Sequence, residues 1–275
     1  MNPELLSSSA VWVALGMSLF AGLSTGLGGL IVVLKRKPGP AFLAAALGFS
    51  AGVMVYVSFV ELLPEGIDSL LEAGNDRADL WSAVAFFAGI ALIALIDRFV
   101  PDDINPHESH TENHTDNHAE NNRAASMRNV GILTALAIAI HNFPEGFATF
   151  AVGLADPVMA LPIAVAIAIH NIPEGVAIAV PLREATGSKW KAAGLATASG
   201  LAEPLGAAIG FLLLQPFLGP QTLGLTFAAI AGVMVFVSLD KLLPTAIETG
   251  RHHTAIYGMV AGMAVMAVSL LILPG

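Results

Sequence analysis

The sequence predicts an all-α integral membrane protein whose helices cross the bilayer several times. Hydrophobic residues make up 55% of the 275 residues and charged residues only 12%, and the apolar stretches of about 17–25 residues are long enough to span a bilayer as helices. Two further observations bear on function: one apolar segment occurs twice in similar form, and a six-residue string of polar residues, proline and glycine recurs inside two apolar stretches.

Eight membrane-spanning helices are predicted within one transmembrane domain over residues 1–275. Their expected bounds are 10–34, 41–63, 80–97, 130–154, 158–181, 190–215, 222–244 and 255–273. The first stretch has no basic segment before it and is longer than the apolar part of a signal peptide. We therefore expect it to remain in the protein as the first span.

The basic residues predict the orientation of these helices. Of the 12 Lys and Arg residues, all except Arg77 lie in or near alternate connections between the spans. Cytoplasmic loops of membrane proteins carry an excess of Lys and Arg. These connections are therefore expected in the cytoplasm, and both termini on the extracytoplasmic side of the cell membrane.

Charge and cysteine content exclude several classes of function. A formal net charge of −9 gives no sign of nucleic-acid binding. The chain has no cysteine, so a metal site must use nitrogen and oxygen ligands. The sequence also lacks a phosphate-binding loop of the GxxxxGK[ST] type, so nothing in it points to ATP hydrolysis.

An internal repeat organises the predicted spans. Residues 51–64 align without gaps to residues 231–244, with ten of 14 positions identical. Spans two and seven run in opposite directions in the predicted topology, so the first three and last three spans form an inverted pair around spans four and five. Such 3+2+3 repeats are typical of secondary transporters, whose binding sites lie near the middle of the membrane.

The recurring string is His-Asn-Phe-Pro-Glu-Gly at 141–146 and His-Asn-Ile-Pro-Glu-Gly at 170–175. His141 and Glu145 are four residues apart and so share one face of a helix, with Asn142 on its flank. The equivalent residues of the second copy are His170, Asn171 and Glu174. Each string therefore offers three candidate metal ligands from about one helical turn.

Proline, glycine and a third carboxylate strengthen this interpretation. Pro144 and Pro173 cannot donate a backbone hydrogen bond and are predicted to kink their helices. The glycine of each string lets either a neighbouring helix or a passing ion approach closely. Glu203 in span six also precedes a proline. Burying a carboxylate at mid-membrane costs about 2.5–3.5 kcal/mol or more, which a divalent cation would offset. Hydrogen bonds between the helices are the alternative explanation.

The paired strings, the Glu-Pro pair of span six, the eight spans and a His-rich loop together resemble the ZIP (Zrt/Irt-like) divalent metal transporters. The resemblance covers residues 10–273 and implies a binuclear metal centre within the bundle. By position, it assigns one metal site to His141, Glu145, His170 and Glu174. It assigns the second site to Asn142, Asn171 and Glu203, with Glu145 and Glu174 bridging the two metals.

The resemblance also implies a path for the metal through span two. Glu61 occupies a position where relatives have a histidine or an acid, so it is a candidate pathway ligand. Its partner in the repeat is Lys241, which follows Asp240; Asp240 is a weaker candidate, and Lys241 is expected to reach the cytoplasmic interface or pair with an acid. Ser58 either contributes a hydroxyl to the path or only packs between helices.

A His-rich and acid-rich cytoplasmic loop is predicted at residues 101–128, between spans three and four. Four of its histidines alternate with carboxylates: His107, His110, His114 and His118. A segment this polar cannot build a core, so we expect it to be disordered without metal. It is interpreted as a site that binds metal ions on the cytoplasmic side, with a plain soluble linker as the alternative.

These features predict a secondary or facilitative transporter that brings divalent transition metals into the cytoplasm without a catalytic cofactor. Zinc is the first expected cargo, followed by iron, cobalt, manganese and cadmium. Several GxxxG spacings are compatible with a homodimer but identify no dimer face. The alternative function is a membrane metalloenzyme with a carboxylate-bridged dinuclear centre, against which stands the absence of HExxH and Glu-x-x-His pairs.

Overall fold

A computed structural model describes residues 9–35, 38–99, 135, 139, 140, 142–154, 157–217 and 219–272. Every regular element within these residues is helical, and six of the helices are long and apolar enough to cross a membrane. The all-α class and the polytopic membrane character are thereby confirmed. Two predicted features lie outside the described residues, namely His141 and the loop 101–128 with His107, His110, His114 and His118.

The helices follow the predicted spans in chain order. The first half comprises α1 (Ser9–Leu34), α2 (Pro40–Val57), a π-helical turn (Ser58–Leu62), α3 (Leu63–Glu72) and α4 (Ala78–Phe99). Residues 142–154 form α5. The second half comprises α6 (Pro157–Thr186), α7 (Lys189–Gly200), α8 (Ala202–Leu214), α9 (Pro220–Val237), a second π-helical turn (Ser238–Leu242), α10 (Leu243–Glu248) and α11 (His252–Ile272).

The helix of span two extends beyond the predicted span. The predicted span ends at residue 63, and helical structure continues through α3 to Glu72. A proline is tolerated in the first turn of a helix, where its missing N–H has no partner to lose. The π-helical turn provides such a new start, and Pro64 occupies the first turn of α3.

The two π-helical turns occur at equivalent places in the internal repeat. In each, the serine that opens the turn donates its hydroxyl to the carbonyl one turn back, from Ser58 to Met54 and from Ser238 to Met234, at 2.7 Å in both cases. π-helical turns are rare in proteins, and those that occur are often at functional sites. The repeat in sequence is thus matched by the same local structure. The hydroxyl of Ser58 therefore bonds to the backbone of its own helix.

The helices pack in two groups. In one, α1 packs along α6 and α7; in the other, α2 packs on α11, and α9 packs on α3 and α4. The two groups meet where α2 packs against α6. A Cβ atom on Gly52 would overlap the carbonyl of Met259 in α11, and one on Gly232 would overlap that of Phe86 in α4. Gly52 and Gly232 are equivalent in the repeat, so the same close packing is made twice.

Glycines of the GxxxG spacings lie at contacts between helices of the same chain. Gly22 and Gly200 each lie against the other's backbone where α1 crosses α7, and Gly48 and Gly262 meet backbone atoms across the α2–α11 contact. Because these close approaches are between helices of one chain, the spacings do not mark a surface for a second copy.

Candidate metal centre

Three candidate metal ligands meet between α5 and α6. Glu145 comes from α5, and His170 and Glu174 come from α6; one ligand atom of each lies within 4.8 Å of those of the other two. The Nε2 atom of His170 is 3.4 Å from Oε2 of Glu145. All three side chains are at most 1% exposed. Residues of the two strings, on two different helices, therefore form one cluster.

Serines from the neighbouring helices contact the backbone of both strings. Ser50 of α2 donates its hydroxyl to the carbonyl of His170, and Ser18 of α1 donates to that of Gly146, both at 3.3 Å. Within α5, Thr149 donates to the carbonyl of Glu145 at 3.0 Å. These bonds fix the backbone that presents the ligands. The serines were not foreseen, because only the folded chain brings them to the strings.

The glycine that ends each string lies where another helix touches the cluster. A Cβ atom on Gly146 would overlap the carbonyl of Glu203 in α8, and one on Gly175 would overlap that of Thr25 in α1. Both predicted close approaches are confirmed. Helical structure also continues through Pro144 in α5 and Pro173 in α6, so neither proline ends its helix.

A second polar group adjoins the first. The side-chain amide of Asn171 donates both to Oε1 of Glu203 and, at 2.9 Å, to the carbonyl of Ala21 in α1. Asn142, Asn171 and Glu203 are all fully buried. The bonds to Asn171 join α1, α6 and α8 at this point and hold the Glu203 carboxylate beside the amide.

Hydrogen bonding between helices explains only part of this arrangement. Four buried atoms of these side chains have no hydrogen-bond partner among the residues that the structure describes: Oε1 of Glu145, Nδ1 of His170, Oδ1 of Asn171 and Oε2 of Glu203. Three buried glutamates lie here, while the only buried Lys or Arg among the described residues is Lys241, which pairs with Asp97. Buried carboxylates need a compensating charge, and a divalent cation is one that these atoms can bind.

The pathway candidates lie in the two π-helical turns. Glu61 is partly buried in the first turn, and the side chain of Asp240 in the second is 44% exposed and lies 3.2 Å from Lys241. Lys241 also donates a hydrogen bond to Asp97 at 2.7 Å. Of the two roles expected for Lys241, the structure therefore shows pairing with an acid. The sequence analysis did not identify Asp97 as the partner of Lys241. Asp97 is the one acidic residue within the third predicted span, 80–97.

The fold and the cluster together define an integral membrane protein with a buried group of candidate metal ligands. The model of a protein family described as ZIP zinc transporter matches residues 8–270 of the chain. The chain belongs to the ZIP zinc transporter family. Because this is a family of transporters, the protein is not an enzyme, and the metalloenzyme alternative is excluded.

Three relatives show how similar the chain is to individual members of the family. Proteins named zinc transporter ZupT from Corynebacterium glutamicum and Corynebacterium efficiens are 65% identical over 260 residues and 62% identical over 265 residues. These matches cover 94% and 96% of this chain and 98% of each relative. The zinc transporter ZupT of Streptococcus mutans is 50% identical over 266 residues, which cover 96% of this chain and 99% of that protein.

Proposed function

We propose that the protein imports divalent transition-metal cations into the cytoplasm, with zinc as the first cargo, and that it does so without ATP hydrolysis. The observation that carries this proposal is the cluster of Glu145, His170 and Glu174 buried between membrane helices. Imidazole and carboxylate ligands suit zinc and also iron, cobalt and manganese, so these metals and cadmium are proposed as further cargo.

The spacing of the cluster supports a zinc site. Two ligand atoms that each lie about 2.0–2.2 Å from zinc at a tetrahedral angle are about 3.3–3.6 Å apart. The Nε2 atom of His170 and Oε2 of Glu145 are 3.4 Å apart, so a single ion can be reached by both. Glu174 supplies a third ligand, and His141 is proposed as the fourth.

A second site is proposed on the adjoining amides and carboxylate. Oδ1 of Asn171 and Oε2 of Glu203 are buried oxygen atoms without a hydrogen-bond partner among the described residues. Asn142, the equivalent of Asn171 in the first string, is also buried. Glu145 and Glu174 would bridge the two ions, because each carboxylate has two oxygen atoms. A site built mainly from oxygen ligands would suit harder cations than the first site.

The proposed architecture has eight spans in a 3+2+3 inverted repeat with both termini outside. The equivalent π-helical turns and the equivalent packing at Gly52 and Gly232 support the repeat. In this arrangement Glu61 belongs to the outer part of the path and Asp240 to the cytoplasmic part. The loop 101–128 is proposed to bind released ions in the cytoplasm through its histidines.

Uptake of radiolabelled zinc into proteoliposomes tests the proposed function. We expect vesicles that contain the intact protein to take up zinc when no ATP is present, and to do so faster than protein-free vesicles. An excess of unlabelled iron, cobalt, manganese or cadmium should slow the uptake of radiolabelled zinc. The metal that binds the same ligands more tightly should slow it more. Uptake equal to that of protein-free vesicles would contradict the proposal.

Replacing Glu203 with glutamine separates the two proposed sites. The amide keeps the size of the side chain and its bond to Asn171, but removes a negative charge and an anionic oxygen ligand. We expect the purified variant to bind one zinc ion fewer per chain, as measured by elemental mass spectrometry after equilibrium dialysis. Glu184 is exposed on α6, and its replacement with glutamine should leave the zinc content unchanged. An unchanged zinc content in the Glu203 variant would exclude the second site.

A further inference from the structure

Lys241 is a buried cation outside the metal centre. Its side chain is 6% exposed, and its ammonium nitrogen lies 2.7 Å from Oδ2 of Asp97 and 3.2 Å from Oδ2 of Asp240. Asp97 is on α4 and Asp240 is next to the lysine in the second π-helical turn. Carboxylates from two different helices therefore converge on one positive charge within the membrane-spanning part of the protein.

The position of Lys241 within the repeat is informative. Its equivalent in the first repeat is Glu61, so the same place in the same unusual turn holds an acid in one repeat and a base in the other. A negative charge attracts a metal ion and a fixed positive charge repels it. The two ends of the proposed metal path therefore differ in the sign of the charge at this one position.

The surroundings of the ammonium group are those of a cation site. Two carboxylates carry two negative charges, which would balance one divalent ion, whereas Lys241 balances only one of them. The nitrogen-to-oxygen distances of 2.7 and 3.2 Å exceed a zinc–oxygen bond of about 2.0–2.2 Å by roughly 0.5–1.2 Å, a gap small enough for rotation of the two side chains to close. The side chains of Asp97 and Asp240 are 27% and 44% exposed, so water could complete the coordination shell.

We infer that Lys241 is a built-in cation that fills a two-carboxylate site formed by Asp97 and Asp240, and so prevents the transported metal from being held there. This inference rests on the proposed function. Its consequence is that an ion leaving the centre towards Lys241 finds no ligand set strong enough to retain it. Lys241 is thus a residue that determines where along the chain metal binds.

Counting bound zinc in purified variants tests this role. The starting protein carries Glu145→Ala and Glu174→Ala, which removes the contribution of the metal centre. Adding Lys241→Gln should increase the zinc content by one ion per chain, measured by elemental mass spectrometry after dialysis against a fixed free zinc concentration. Lys241→Arg keeps the charge and should add no ion, and Lys241→Gln with Asp97→Asn should add none because a ligand is lost.

The outcomes separate the inference from the proposed function. If Lys241→Gln adds no ion while the Glu145 and Glu174 changes lower the zinc content, the inference is wrong and the proposed centre stands. If those two changes leave the zinc content of the otherwise intact protein as it was, the proposed centre fails, and a gain with Lys241→Gln still supports the inference. If the Lys241→Gln variant is unstable as purified, its thermal midpoint is measured with and without zinc. Zinc should raise the thermal midpoint of this variant and should not raise that of the variant that also carries Asp97→Asn. The absence of this difference also overturns the inference.

Discussion

Replacing Glu174 with alanine is expected to reduce zinc uptake to the level of protein-free vesicles, and replacing Glu145 with alanine should do the same. Each change removes one of the three proposed ligands that meet in the cluster. Losing a group that merely supports a ligand typically costs about 10–100-fold in metal affinity or activity, so losing a ligand should cost more. The measurement is the initial rate of radiolabelled zinc uptake into proteoliposomes with matched protein content.

The chain offers a matched control for this experiment. Glu184 lies on the same helix as Glu174, but its side chain is exposed. Its replacement with alanine removes an equal charge from α6 without touching the cluster, and uptake should stay close to that of the intact protein. Uptake that survives both the Glu145 and the Glu174 change would remove the proposed centre from the path.

Gly146→Ala is expected to have the second large effect, because it forces two helices apart at the metal centre. The added Cβ atom would overlap backbone atoms of Glu203, which cannot move without moving α8. Overpacking of this kind typically costs about 1–3 kcal/mol, which corresponds to a fall of about 2–12 °C in thermal midpoint for a chain of this size. Displacing Glu203 should also slow zinc uptake strongly.

Gly194→Ala is the control for the glycine substitution. Gly194 is a helical glycine of α7, and a Cβ atom added there would meet no atom of the described residues within 4 Å. The thermal midpoint should therefore be unchanged or slightly higher, and the rate of zinc uptake should be that of the intact protein. Equal thermal midpoints and equal uptake for the two glycine variants would show that the contact between Gly146 and Glu203 is unimportant.

The sequence predicts most of the helices because membrane helices are long and apolar. It does not predict that the helix of span two continues past residue 63, through Pro64, to Glu72. A proline usually ends a helix by clashing with the preceding turn and by lacking a donor. Here the π-helical turn just before Pro64 rearranges the hydrogen bonds, and nothing in the composition of that segment indicates this in advance.

The centre is predicted in part, because the i, i+4 spacing of the string is a local property. That spacing places His170 and Glu174 on one face of α6, and the doubled string brings Glu145 to them. The contacts from Ser18, Ser50 and Ala21 depend on residues more than 100 positions away in the chain. Such contacts arise from the packing of whole helices, which a single sequence does not specify.

The close crossings of the helices also restrict how this transporter can be engineered. Replacing a helical glycine with alanine commonly stabilises a protein by reducing the freedom of its unfolded chain. Here most glycines inside the described helices lie where a methyl group would overlap a neighbouring backbone. At Gly16 and Gly194, by contrast, a methyl group would meet no described residue within 4 Å. A search for thermostable variants should therefore leave the crossings intact and begin with these two positions.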